Sequence, residues 1–151
     1  MISKHISDKE GVYSITAIRR GLDNIPTKTH LNNMKELAEQ VFEPLREWVG
    51  GPIRINSFYR GEELNKAIGG SNTSQHCKGQ AMDIDDTRCK KTNAEMFKWI
   101  KENLNFDQII WEFGNDKNPD WIHISYVDEV NNRNRCLKAY KKRGKTKYLV
   151  I

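Results

Sequence analysis

Helical and strand-like patterns are segregated along this chain, and that order limits the folds open to it. In "THLNNMKELAEQVFEPLREWVGG", Leu31, Met34, Leu37, Val41, Leu45 and Trp48 recur at three- and four-residue steps. That spacing makes one apolar face of a helix. Pro44 is expected to kink or interrupt it, and Gly50 and Gly51 to end it. "GEELNKAIGG" reads as a short helix stopped by its glycines, and "KKTNAEMFKWIKENL" as a longer one. Thr92 and Glu95 of the latter have capping-box spacing. "PIRINSFYR" and "AMDID" alternate as strands do, and "FDQIIWEF" and "DWIHISYV" follow across the polar loop "GNDKNP". The closing segment "RCLKAYKKRGKTKYLVI" reads as a hairpin turning at Arg143-Gly144. Helices early and strands late suit an α+β domain with a small antiparallel sheet flanked by helices, rather than a βαβ repeat. Residues 1–28 read as a polar, irregular arm, and residues 29–151 as the single domain.

The 151 residues suffice for one core, and 37% hydrophobic with 30% charged residues marks a globular chain. No stretch is long and apolar enough to span a membrane, and the N-terminus lacks a signal-peptide core. The expectation is a protein cytoplasmic at synthesis, without an integral membrane segment. The net charge of +5 is concentrated in "NNRNRCLKAYKKRGKTKY". Such a run suits either a polyanion or a solvated lysine-rich hairpin. No nucleic-acid motif accompanies it, so the hairpin reading is preferred and no nucleic-acid partner is expected. Cys77, Cys89 and Cys136 are odd in number and lack a CxxC spacing, which argues against a disulfide framework.

Four histidines are present. His5 lies in the arm and His30 at a helix start, where polar residues are ordinary. His76 is followed by Gly79 and then by a strand on which Ala81, Asp83 and Asp85 share one face. His123 lies on a later strand that an antiparallel sheet could bring beside it. Two histidines and one aspartate would form a zinc site with a position left for water. Each piece alone has a plainer reading: a core histidine, a solvated turn, a capping aspartate.

Together the pieces form a pattern. "SQHCKGQAMD" fills every fixed position of Ser-x-His-x-x-Gly-x-Ala-x-Asp. The pattern resembles the zinc D-alanyl-D-alanine carboxypeptidase family, which includes vancomycin-resistance dipeptidases and phage L-alanyl-D-glutamate endolysins, and whose fold Hedgehog domains share. "INSFYRGEELNKAIGGSNTSQH", "FDQIIWEFG" and "PDWIHIS" extend the resemblance over roughly Leu31 to Tyr126. It implies a Hedgehog/DD-peptidase-like fold with Zn2+ held by His76, Asp83 and His123. It implies Asp120, three residues before His123, as the catalytic acid or base. Arg60 would stabilise the oxyanion or bind a substrate carboxylate, and Ser74 would hydrogen-bond the substrate. Three residues along a regular strand would put Asp120 and His123 on opposite faces unless Pro119 turns Asp120 back. Glu112 is therefore the competing base, with a plainer reading as an acceptor that orients a ligand histidine. Trp111 and Trp121 are taken as core aromatics.

The resemblance implies a monomeric zinc peptidase that hydrolyses peptidoglycan stem peptides, as a D,D-carboxypeptidase or an endolysin-like endopeptidase. In the latter case release to the wall during phage lysis is expected. The alternative is a catalytically silent, zinc-containing binding module of the same fold.

Overall fold

The computed structural model describes residues 1–151. The first segment is more ordered than its polarity suggests. Helices α1 (Asp8–Val12) and α2 (Ile15–Arg20) start at Ser7 and Ser14, whose hydroxyls accept from Glu10 N–H and Ala17 N–H. Ile2 and Ile6 are buried in the main core, and Glu43 accepts hydrogen bonds from Ser3 and from the His5 backbone. The expected irregular arm is thus two short helices pinned to the body of the fold.

Helix α3 (Lys28–Leu37) leads into a π-helical turn over Ala38–Phe42 and then α4 (Glu43–Val49). Pro44 explains the turn. It has no N–H to give, and its ring presses on the carbonyl four residues back. The chain widens ahead of it, and Glu43 N–H reaches Ala38, five residues back. The apolar face survives this change of pitch: Met34, Leu37, Val41, Leu45 and Val49 are all buried.

Strand β1 (Arg54–Ser57), helix α5 (Glu62–Ala67), a 3-10 turn (Gln75–Lys78) and strand β2 (Ala81–Asp85) follow. Helix α6 (Asn93–Asn103) carries the expected Thr92–Glu95 capping box. The chain ends in β3 (Gln108–Glu112), β4 (Trp121–Ser125), β5 (Arg135–Lys142) and β6 (Lys145–Val150). The turn between β5 and β6 has positive φ at Arg143 and Gly144, as a two-residue hairpin turn requires.

These strands form one sheet in the order β1-β2-β4-β3-β5-β6. Every pair is antiparallel except β3–β5, which is parallel. Alternation divides the sheet into two faces. Met82, Ile84, Ile122, Ile124, Ile109 and Cys136 point to one face and join the core with residues of α3, α4 and α6. The other face carries Asp83, His123, Ile110 and Leu137 side by side. The fold is a single α+β domain with helices behind the sheet and its chemistry in front.

Candidate metal centre

The quoted motif is a tight turn that delivers one imidazole to the front of the sheet. The Ser74 hydroxyl caps the 3-10 turn by accepting from His76 N–H at 3.3 Å. Gly79 ends it at φ +73, where a Cβ would lie 2.5 Å from the His30 carbonyl oxygen. Only glycine fits there. His76 is 1% exposed.

Its tautomer follows from one contact. His76 Nδ1 lies 2.7 Å from the Phe58 carbonyl oxygen, which only accepts, so Nδ1 carries the proton. Nε2 then keeps its lone pair. That atom is buried with no hydrogen-bond partner, and it lies 3.3 Å from Asp83 Oδ1. Burial lowers the His76 pKa, an effect that Asp83 opposes only in part, so the ring is held neutral.

Asp83 and His123 are directly paired across β2 and β4. His123 presents Nδ1 to Asp83 Oδ1 at 3.1 Å. Burial pushes the Asp83 carboxyl up, but in the acid range where it titrates the protonated rings of His76 and His123 outweigh burial and hold it well below the usual carboxylate range. One ligand atom from each of His76, Asp83 and His123 lies within 4.8 Å of the others. A buried lone pair without a donor, a second imidazole nitrogen and an ionised carboxylate fit a divalent cation, and zinc best among common ions. The Phe58 carbonyl supplies the kind of outer contact that would fix a ligand histidine. His5 and His30 stand apart from this group. His5 binds Glu43, and His30 closes a box with Thr27 at the start of α3.

The group opens on a cleft of about 910 Å³ whose lining includes Arg60, Ser74, Glu112 and Trp121. Glu112 is paired with Trp121 on the front face, beside the row that holds His123. It is 8% exposed. Burial raises its pKa to about 7, with His123 lowering it and Asp83 raising it by smaller amounts. Such a carboxyl can hold or release a proton near neutral pH.

Asp120 takes a different place. It is exposed and does not line the cleft. Its N–H donates to the Glu112 carbonyl, and its own carbonyl and that of Pro119 accept from Asn93 Nδ2. Because Trp121 is opposite Glu112 on the front, Asp120 is out of phase with that face. Pro119 does not turn it inward. The structure therefore brings Glu112, and not Asp120, to the group.

Arg60 N–H donates to the His76 carbonyl at 3.2 Å, which ties the arginine to the motif turn. Its Nε is buried without a partner. Burial lowers the pKa of the guanidinium and Asp83 raises it. Ser74 both caps the turn and lines the cleft. Trp121, expected in the core, stands in the cleft with its ring centroid 5.5 Å from that of Phe113. Trp111 does pack against the core, edge-on to Phe97.

The family model described as Peptidase M15 matches residues 4–125, which include every residue of the group. The chain belongs to the peptidase M15 family. M15 peptidases are zinc enzymes, and the donor set of this M15 chain suits that ion. No curated protein matches the chain. No helix of this M15 member is long and apolar enough to cross a membrane.

Sequence reasoning missed three contributors to the site. Phe58 acts through its backbone, which no side-chain pattern reveals. Asp107 is 1% exposed and accepts from Gln75 Nε2 at 3.0 Å and Arg133 at 2.8 Å, so it steadies the residue before His76. The third is the terminal hairpin, which forms part of the cleft wall.

Proposed function

We propose that this chain is a zinc peptidase that hydrolyses amide bonds in peptidoglycan stem peptides, with His76, Asp83 and His123 as metal ligands and Glu112 as general base. The observation that carries the reading is the buried, unpartnered Nε2 of His76 facing Asp83, with Glu112 in the same cleft. When bound, zinc supplies Lewis acidity to a substrate carbonyl and brings a water's pKa near 7. The residues do the rest. The carboxylate of Glu112 takes the attacking water's proton and passes it to the leaving amine. Its burial suits both halves of that exchange, because neither protonation state is strongly favoured near neutrality. Arg60, whose Nε–H has no partner, presents its guanidinium to the oxygen on which negative charge develops, or to a substrate carboxylate. Ser74 offers its hydroxyl to the substrate backbone.

A second hollow of about 800 Å³ lies on the other side of Asp83 and shares Arg60 with the first. Room on both sides of the metal group favours cleavage within a peptide over removal of a terminal residue. Digestion of purified peptidoglycan by zinc-loaded protein, with products read by mass spectrometry beside His76→Ala, tests the reading. New amine and carboxyl ends that vanish in the variant are expected. Intact wall with zinc bound stoichiometrically would instead mark a silent binding module.

A further inference from the structure

The terminal hairpin lies beyond the matched residues 4–125, yet it continues the front face of the sheet. Register lines up the rows. Ile110 is paired with His123 and with Leu137, and Leu137 with Val150. Glu112 is paired with Trp121 and with Ala139, and Ala139 with Tyr148. Gln108 is paired with Arg135. Lys141, opposite Thr146, ends the same face. Arg135, Leu137, Lys141, Thr146 and Tyr148 thus share a cleft with His123 and Glu112.

The two faces of the hairpin differ in what they offer. The far face carries Lys138, Tyr140 and Lys142, opposite Leu149, Lys147 and Lys145. It fits a solvated, lysine-rich surface, and Lys138 is paired with Asp116. The front face sets a cationic group at each end of β5, Arg135 and Lys141, with the apolar Leu137 and Ala139 between them. Ala139 is small and fully buried between Glu112 and Tyr148 in the register. Tyr148 is 56% exposed, so its ring is free to cover a bound chain. Neither Arg135 nor Lys141 is paired with a carboxylate. Lys141 Nζ donates to Thr146 at 2.9 Å and lies over the Phe113 ring at 5.3 Å, which aims it into the cleft. Arg133 is already satisfied by Asp107.

Charge decides the class of ligand. With Arg133 offset by Asp107, the cleft holds three further cationic side chains, Arg60, Arg135 and Lys141, against the two carboxylates of Asp83 and Glu112. A bound divalent cation would add to the excess. Such a cleft attracts anions and repels cationic chains. Arg135 and Lys141 are separated by six residues along β5, roughly 20 Å at about 3.3 Å per residue. That is the reach of an extended peptide of several residues.

We propose that the front face of the β5–β6 hairpin is the substrate wall of the cleft, where Arg135 and Lys141 select extended peptides that carry free carboxylates and Tyr148 covers the bound chain. This rests on the peptidase reading for the identity of the ligand, but its test does not need turnover. Zinc-loaded Glu112→Gln protein would be titrated with L-Ala-γ-D-Glu-L-Lys-D-Ala-D-Ala. The comparison is the same peptide with both α-carboxyls converted to amides.

The acid form is expected to bind about tenfold more tightly at low salt. Arg135→Gln with Lys141→Gln should abolish that preference, and Lys142→Gln with Lys147→Gln on the far face should preserve it. Tyr148→Ala should weaken both peptides alike, by about fivefold. Equal binding of acid and amide, or a preference that survives loss of Arg135 and Lys141, overturns the proposal. A preserved preference with no cleavage of the acid peptide by the unsubstituted protein would sustain the hairpin's role and count against the peptidase reading.

Discussion

A carboxylate serves as a general base only where it meets the reacting water, so the choice between Glu112 and Asp120 is one of facing. Glu112 is buried on the front of β3, and Asp120 is exposed and out of phase with that face. Glu112→Gln is expected to lower kcat by at least about a hundredfold, and Asp120→Asn by less than about threefold, in a peptide-hydrolysis assay. The reverse order would return the base to Asp120. Glu112→Gln should also change the pH dependence of stability in the metal-free protein. Burial raises this carboxyl to about 7, so the folded chain binds its proton more tightly than the unfolded chain. The stability so contributed is full below the unfolded value of about 4.3 and is lost as pH rises through about 7. At pH 8 the glutamine variant should therefore be more stable than the parent in chemical denaturation, by on the order of 3 kcal/mol. That His76, Asp83 and His123 would lie together was legible in the sequence, because a fixed pattern held the first two and a later strand offered the third. Alternation also put Asp120 and His123 out of phase, but whether Pro119 would turn Asp120 back was not legible, because that depends on how Phe113 and Gly114, both at positive φ, turn the chain out of β3.

Among the elements, the motif turn has the least freedom. It must deliver His76 with Nδ1 on the Phe58 carbonyl, and it closes against α3 at Gly79. An added methyl there meets the His30 carbonyl oxygen at 2.5 Å and Met34 Cγ at 2.8 Å, in a backbone region unfavourable to other residues. Gly79→Ala is expected to cost about 1–3 kcal/mol in chemical denaturation, with weaker zinc binding as His76 shifts. Unchanged stability would mean the turn relaxes without strain. The other elements were readable to different degrees. Thr92 and Glu95 marked the start of α6 because a capping box is a local signal. The interruption expected at Pro44 did occur, but as a π turn ahead of the proline that preserves the buried face. The helices within residues 1–28 were hidden because they are short and their apolar contacts, at Ile2 and Ile6, are made with distant residues.

For the molecule as a whole, strand order places the chemistry. Placing β4 between β2 and β3 brings Asp83, His123 and Glu112 to one face of the sheet. The parallel β3–β5 pair then carries the terminal hairpin alongside. Alternation in "AMDID" and "DWIHIS" foretold which residues share a face, but strand order comes from long-range packing that no local window contains. The basic terminal segment was read as a solvated hairpin; its front-face Arg135, Lys141 and Tyr148 are exposed as that reading expects, and they also line the cleft.

Zinc titration into metal-free protein tests the assembly of these parts most directly. One equivalent should bind. Affinity should fall by at least about a hundredfold in His76→Ala, Asp83→Asn and His123→Ala, and stay within about threefold in Asp120→Asn. One-to-one binding that persists at full strength in His76→Ala, or that is lost in Asp120→Asn, would contradict a metal centre built from the motif turn, β2 and β4.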